Sequence, residues 1–191
     1  FQYGKVLDDL YRLAKEKHLL LMSRSPDLQA KINQHALSQQ LKLPSENSDF
    51  LHVNIANIGG RKSDRYIRSS FASLADFSKD GQTEVTFNIS LEHLGDYNIQ
   101  SDIYQAFIRV YTPQGSKLLE SKGRTLTLTE TGSELGFTVF SDLVRIRPGE
   151  TLELSYRYRL PENITLADYH LRIVRQAGSQ HQLWSVAVRQ K

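Results

Sequence analysis

Two stretches constrain the fold more than any others: VTFNISL, residues 85–91, and TLELSYRYRL, residues 151–160. In the first, Val85, Phe87, Ile89 and Leu91 alternate with Thr86, Asn88 and Ser90. In the second, Leu152, Leu154, Tyr156, Tyr158 and Leu160 alternate with Glu153, Ser155, Arg157 and Arg159. Strand side chains point to opposite faces in turn, so a period of two gathers every apolar residue on one side. A sheet of such strands has one oily and one wet face, and a second sheet is the natural cover for the oily one. Turn-forming clusters punctuate the chain at KDG (79–81), TPQG (112–115), TGSELG (131–136), RPGE (147–150) and QAGSQ (176–180). From Asp49 onward this spacing predicts roughly eight to ten short strands. The expected fold is mainly β: an antiparallel β-sandwich, Ig-like and of Greek-key type, over residues 49–191.

Residues 1–48 follow a different period. KVLDDLYRLAKEK (5–17) sets Val6, Leu7, Leu10, Leu13 and Ala14 on one helical stripe. HLLLMS (18–23) reads as a short buried strand. In SRSPDLQAKINQHALSQQL (23–41), Ser25 is placed to cap a helix and Pro26 to occupy its first position, where a missing N–H costs nothing. Leu28, Ile32, Ala36 and Leu37 continue that helix's stripe, and KLPSENSD (42–49) reads as a loop. Residues 1–48 are thus expected as a helical segment packed on the sandwich, covering an open edge, with the whole read as one compact domain.

The 191 residues suit about one domain, and 39% hydrophobic with 24% charged residues is a globular rather than a disordered composition. The net charge of +3 comes from 24 basic and 21 acidic residues that are interspersed, so nucleic acid is not an expected partner. The chain has no cysteine, which excludes a disulfide framework, a Cys-based zinc site and a cysteine nucleophile. No apolar run approaches the ~20 residues that span a bilayer. The chain opens on Phe1 without a signal-peptide pattern, and it reads as a fragment whose membrane segment, if any, lies outside it.

The densest polar run is NIANIGGRKSDRY (54–66). A Walker loop is excluded, because Arg61 separates Gly60 from Lys62 and the earlier glycine is missing. The reading favoured is a tight corner that needs a positive φ at glycine, with Asp64 holding it by pairing with Lys62 or Arg61 or by accepting backbone N–H groups. An exposed recognition corner is the functional version of the same reading. The six histidines show no zinc-helix spacing, and His52 alternates away from Leu51, Val53 and Ile55, which points it to solvent. EHLGDYN (92–98) offers Glu92 and Asp96, with Asp102 nearby, as sparse calcium ligands, but a plain loop is preferred. No Gly-x-Ser-x-Gly elbow is present, so no catalytic residue, metal or cofactor is assigned. A Lys–Asn isopeptide bond would require a buried Lys, Asn and acid.

Several stretches together resemble the C-terminal part of the bacterial domain-of-unknown-function family numbered four thousand and twelve. They are residues 7–29, FIRVYTPQGSKL (107–118), RPGETLELSYRYRLP (147–161), YHLRIVRQAGSQ (169–180) and the pattern Asn57-x-x-Gly60-x-Lys62-x-Asp64-x-Tyr66. Arg61 and Ala177-Gly178 depart from the usual pattern, where a small polar residue and Pro-Gly are commoner. The resemblance implies a large bacterial cell-surface protein, anchored by an N-terminal membrane helix, with this part extracytoplasmic. It supplies no catalytic residues. Asn57, Gly60, Lys62, Asp64 and Tyr66 are its most distinctive positions and are taken as the candidate binding residues. The function expected is a non-catalytic module acting in interaction or as a scaffold, with an envelope protein as partner. Its main rival is a glycan-binding or envelope-polysaccharide-processing module, with Tyr66, Tyr97, Tyr104 and Trp184 as sugar-stacking candidates. An enzyme built around Lys62, Asp64 and Arg65 is the third reading.

Overall fold

The apolar alternation becomes ten strands in two five-stranded sheets among the described residues of a computed structural model, which are 3–35, 37–38, 40–41, 45, 47–78, 82–179 and 182–190. The strands are β1 (Asp49–Asn57), β2 (Ile67–Asp76), β3 (Glu84–His93), β4 (Tyr104–Pro113), β5 (Lys117–Gly123), β6 (Glu130–Glu134), β7 (Phe137–Ile146), β8 (Thr151–Arg159), β9 (Leu171–Val174) and β10 (Gln182–Arg189). The first sheet runs β6-β7-β4-β1-β9 and the second β10-β2-β3-β8-β5. One continuous core lies between them, built from Leu51 and Val53 of the first sheet and Phe87, Ile89, Leu154 and Tyr158 of the second, among others. The fold is a β-sandwich.

The interior pairs are antiparallel, but β1–β9 and β2–β10 are parallel, so each sheet carries one parallel edge strand. Alternation identifies a strand and its buried face; it says nothing about which neighbour the strand takes or in which direction. Of the eight pairings among the described residues, only β2–β3 and β6–β7 join strands consecutive in sequence. Three expectations are corrected at the level of elements. TGSELG is not all turn: Glu130–Glu134 is β6, and only Leu135 and Gly136 turn, both with positive φ, as a two-residue hairpin requires. HLLLMS forms no strand, because Leu21 N–H, bonded to Leu37 O, finds no ladder to extend, and Met22 is 88% exposed. Ser25 precedes the second helix as foreseen, but its hydroxyl makes no cap bond; its carbonyl accepts Gln29 N–H instead. The KDG turn, Ala36 and half of the 42–49 loop lie outside the described residues.

The chain divides into two compact units, Phe1–Lys42 with Arg175–Ser179, and Leu43–Val174 with Gln180–Lys191. The first holds α1 (Tyr3–Lys15) and α2 (Pro26–Gln34). Within it Ala14 and Ile32 are buried, and Gly178 N–H donates to Lys17 O. The second holds the sandwich.

Hydrogen-bonded carboxylates sit in the sandwich interior. Asp142 of β7 accepts from Tyr156 Oη of β8 (2.7 Å) and from Thr129 Oγ1 (2.8 Å), so it ties one sheet to the other. Asp49 is fully buried and accepts from Tyr169 Oη and from Phe50 N–H, each at 2.7 Å. Burial raises its carboxyl from 3.8 to about 6, against the pull of those two hydrogen bonds. In the unfolded chain it titrates near 3.8, so the stability tied to its neutral form is complete below that pH and is lost as pH rises through about 6. We expect Asp49→Asn to match the native chain at acid pH and to exceed its unfolding free energy above roughly pH 7 by up to about 3 kcal/mol. Urea titrations across that range check this, and a difference that does not vary with pH refutes it.

Candidate functional site

The corner at residues 57–66 forms where β1 leaves the first sheet and must turn back to begin β2 in the second. Asn57, the last residue of β1, does most of the turning. Its Oδ1 accepts Gly59 N–H (2.9 Å), and its Nδ2 donates to Arg61 O (2.7 Å) and to Asp64 Oδ1 (2.5 Å). Gly60 takes φ +78°, the left-handed region that a side chain resists. Ser63–Tyr66 then forms a single 3-10 turn, and Ile67 starts β2. Asp64 is therefore held by an amide, not by the Lys62, Arg61 or backbone N–H partners expected for it.

A second loop, 93–102, is laced to the first. Lys62 N–H donates to Gln100 O, and Leu94 N–H to Tyr66 O. Arg61 reaches Asn98 O (2.8 Å) and pairs with Asp102 (3.5 Å). Ser63 Oγ donates to Asp102 O (3.1 Å) and accepts Asp102 N–H (3.0 Å). Beneath them lies His93, only 1% exposed. Its Nδ1 accepts Gly95 N–H (3.1 Å), which leaves Nε2–H to donate to Asp102 O (2.9 Å), the arrangement of a neutral ring. A Cβ on Gly95 would collide with Ser101 Oγ and with the ring of Tyr66 at 2.9 Å, so only glycine lets the two loops close.

Of the five candidate residues, the structure thus brings Asn57, Gly60, Lys62, Asp64 and Tyr66 into one corner, but mainly as parts of its frame. Asn57 and Asp64 bond each other, and Tyr66 is half-buried beside Gly95. The side chains of Lys62 and Arg65 are exposed, as are Ile58 (52%) in the corner and Leu94 (50%), Tyr97 (61%) and Ile99 (90%) in the second loop. Sequence reasoning missed His93, Gly95, Asn98 and Ser63; the signal was the glycine within EHLGDYN. Glu92 and Asp102, offered there as calcium ligands, face Arg68 (3.0 Å) and Arg61 instead. Among the described residues no cluster of three His, Asp or Glu has metal-holding geometry, and no buried residue is a lysine or an asparagine, which removes the isopeptide idea there.

His52 corrects another expectation. It does point away from Leu51 and Val53, but that face is closed: the ring is 5% exposed, packs on Tyr111 at 5.4 Å and donates from Nδ1 to Val174 O (2.7 Å). Burial and the nearby Arg109 charge depress its basicity, against the Val174 bond. On the same face Arg109 donates to Glu134 (3.0 Å) and to Asn54 Oδ1 (3.0 Å), and Tyr111 Oη donates to Glu134 (3.1 Å). Arg109 lies on β4 and Glu134 on β6, so their pair spans the intervening β7. The cluster binds the strands of the first sheet together.

The sugar-stacking candidates do not assemble. Tyr104 is 3% exposed, and Trp184 packs against Phe71 (4.5 Å) and Phe87 (6.1 Å). A shallow cavity of about 310 Å³ does open on the outer face of the second sheet, with Ser70, Asn88, Ser90, Glu153, Trp184 and Ser185 in its lining. A second, of about 200 Å³, lies by Phe77, Thr83, Arg159 and Ile164.

The corner's rigidity is testable. We expect Asn57→Ala to lower the unfolding free energy by about 1–3 kcal/mol through the three lost bonds, and Gly60→Ala by about 1–2 kcal/mol through backbone strain. Thermal melts measure both, and a neutral result for Asn57→Ala refutes its framing role.

No family model and no curated protein matches the chain. Among solved structures, a mutant of a two-domain M1 zinc metallopeptidase bound to L-tryptophan is similar at 12% identity and a TM-score of 0.30, over 50% of this chain and 20% of that one. The M1 zinc metallopeptidase from Deinococcus radiodurans, as a mutant bound to a Tyr-Ser-Ala substrate, gives 12% identity and a TM-score of 0.29 over the same shares. The chain thus spans a fifth of the length of those proteins.

Proposed function

We propose that this chain is a non-catalytic β-sandwich module of a bacterial cell-surface protein, lying outside the cytoplasm and working by protein interaction through its 57–66 and 93–102 loops. The observation that carries the reading is how the corner divides its residues. Asn57, Arg61, Ser63 and Asp64 are bonded within the corner and its neighbouring loop, while Lys62, Arg65, Tyr97 and Ile99 are displayed on a braced frame. Loops fixed in advance lose little entropy on binding, and exposed aliphatic and aromatic anchors beside cations suit a partner that is apolar and acidic. The extracytoplasmic location is supported by the family resemblance and fits the lack of cysteine. No helix of the described residues is long and apolar enough to cross a membrane, and in this reading the parent protein is anchored by a segment outside this chain.

Glycan binding is the second reading, and the 310 Å³ cavity is what favours it. Hydroxyl, amide and carboxylate groups there, from Ser70, Asn88, Ser90 and Glu153, could bond sugar hydroxyls. The two readings use opposite residues. Under the first, the chain retains a protein from bacterial envelope extracts, and Tyr97→Ser with Ile99→Ser abolishes retention without changing the melting temperature. Under the second, envelope sugars bind and Asn88→Ala weakens them. Retention that is indifferent to the loop variants ends the interaction reading.

A further inference from the structure

A sheet edge offers unpaired backbone N–H and C=O groups to any passing strand, and folded proteins blunt their edges for that reason. Three of the four edges here are blunted. β5 carries Lys117, Glu120 and Lys122 and is bulged between Leu118 and Glu120. β6 is five residues long with a glutamate at each end, and β9 has four residues, one of them Arg172. β10 has none of these protections. It is eight residues long, QLWSVAVR, without charge before Arg189 and without proline. Leu183 is 66% exposed, Val186 48% and Val188 43%.

The open side of β10 can be assigned group by group. Phe77 N–H donates to Arg189 O (2.9 Å), so Arg189 turns its backbone groups towards β2. Strand alternation then directs Leu183, Ser185 and Ala187 the same way and leaves the N–H and C=O of Trp184, Val186 and Val188 facing outward.

We infer that β10 is the interface through which two copies of this chain associate, by antiparallel pairing of β10 with itself about a two-fold axis at Val186. In that register Val186 stands opposite its own copy, and Trp184 stands opposite Val188 of the second copy. Each of these residues donates its N–H to the carbonyl across from it and accepts one in return. Same-face neighbours also match: the core-side row meets apolar against apolar, and on the other face Ser185 meets Ala187 and Leu183 meets Arg189. Opposed apolar pairs of this kind stabilise antiparallel ladders. The pattern also selects the occupant. The strand's one charge, Arg189, already faces Asp76 at 3.2 Å. Nothing on the edge therefore attracts an acidic or basic foreign strand, and nothing repels an identical one. A two-fold contact needs only a self-complementary surface, and this edge is one. The interface is separate from the 57–66 corner and does not depend on the function proposed for it.

Sedimentation equilibrium of the chain tests the inference. A monomer–dimer equilibrium is expected, and Val186→Lys and Val186→Pro should each shift it towards monomer by roughly tenfold or more. The proline is the cleaner variant, since the N–H it removes faces away from β2 and serves no ladder bond among the described residues. Hydrogen exchange needs no variant: the amides of Trp184, Val186 and Val188 gain protection as concentration rises. A chain that stays monomeric at every soluble concentration overturns the inference, as does a dimer that survives both Val186 changes. A dimer abolished instead by Leu7→Glu, on the exposed apolar stripe of α1, also overturns it.

Discussion

The sandwich depends on a single requirement: every second side chain on the inner strands must lose water at the same time as its counterparts in the facing sheet. Phe87, Ile89 and Leu91 of β3 and Leu152, Leu154 and Tyr156 of β8 are each no more than 2% exposed. Such burial is worth about 1.5–3 kcal/mol per large side chain and supplies the main driving force for the fold. It is also non-directional, so it does not by itself fix how the layers are aligned. Asp142 and Tyr156 add the directional element, because their 2.7 Å bond forms only when β7 and β8 face each other correctly. The carboxylate of Asp49 plays the same part for β1 and the segment carrying Tyr169.

That requirement explains why the strands could be read from sequence and the neighbours could not. VTFNISL and TLELSYRYRL lie in central strands, where one face is oily and the other wet, and their pattern is unambiguous. Arg157, on the wet face of β8, finds Glu84 at 3.2 Å, as alternation of charge beside apolar residues suggests. β1 defeats the same logic. Phe50 and His52 alternate with Leu51 and Val53, yet both faces of this strand are buried, so a histidine on the second face does not mark solvent there. HLLLMS is the opposite case: an apolar run is a strand only if another strand is available to it, and Leu21 N–H bonds to Leu37 O instead.

The corner at 57–66 was conspicuous in sequence because of its glycines and charges, but the roles within it were not legible. Asn57 and Asp64 are seven positions apart, and nothing in their spacing announces a mutual bond. His93 and Gly95 are remote in the chain and matter only because loop 93–102 folds back onto the corner. The result is a surface feature whose polar groups are mostly committed to its own shape, which is what allows a loop to present neighbouring side chains in one fixed arrangement.

The order of strands has a consequence for synthesis. Ser69 waits for Gln182, and Asp49 for Leu171, before either parallel pair can form. A nascent chain leaving the ribosome therefore cannot finish either layer until β9 and β10 have emerged, and β1 and β2 each spend that interval with a bare flank. Such distant closure slows folding and lengthens the time at risk of aggregation. β10 is thus the strand that seals the second layer, and its removal would leave β2 at the rim.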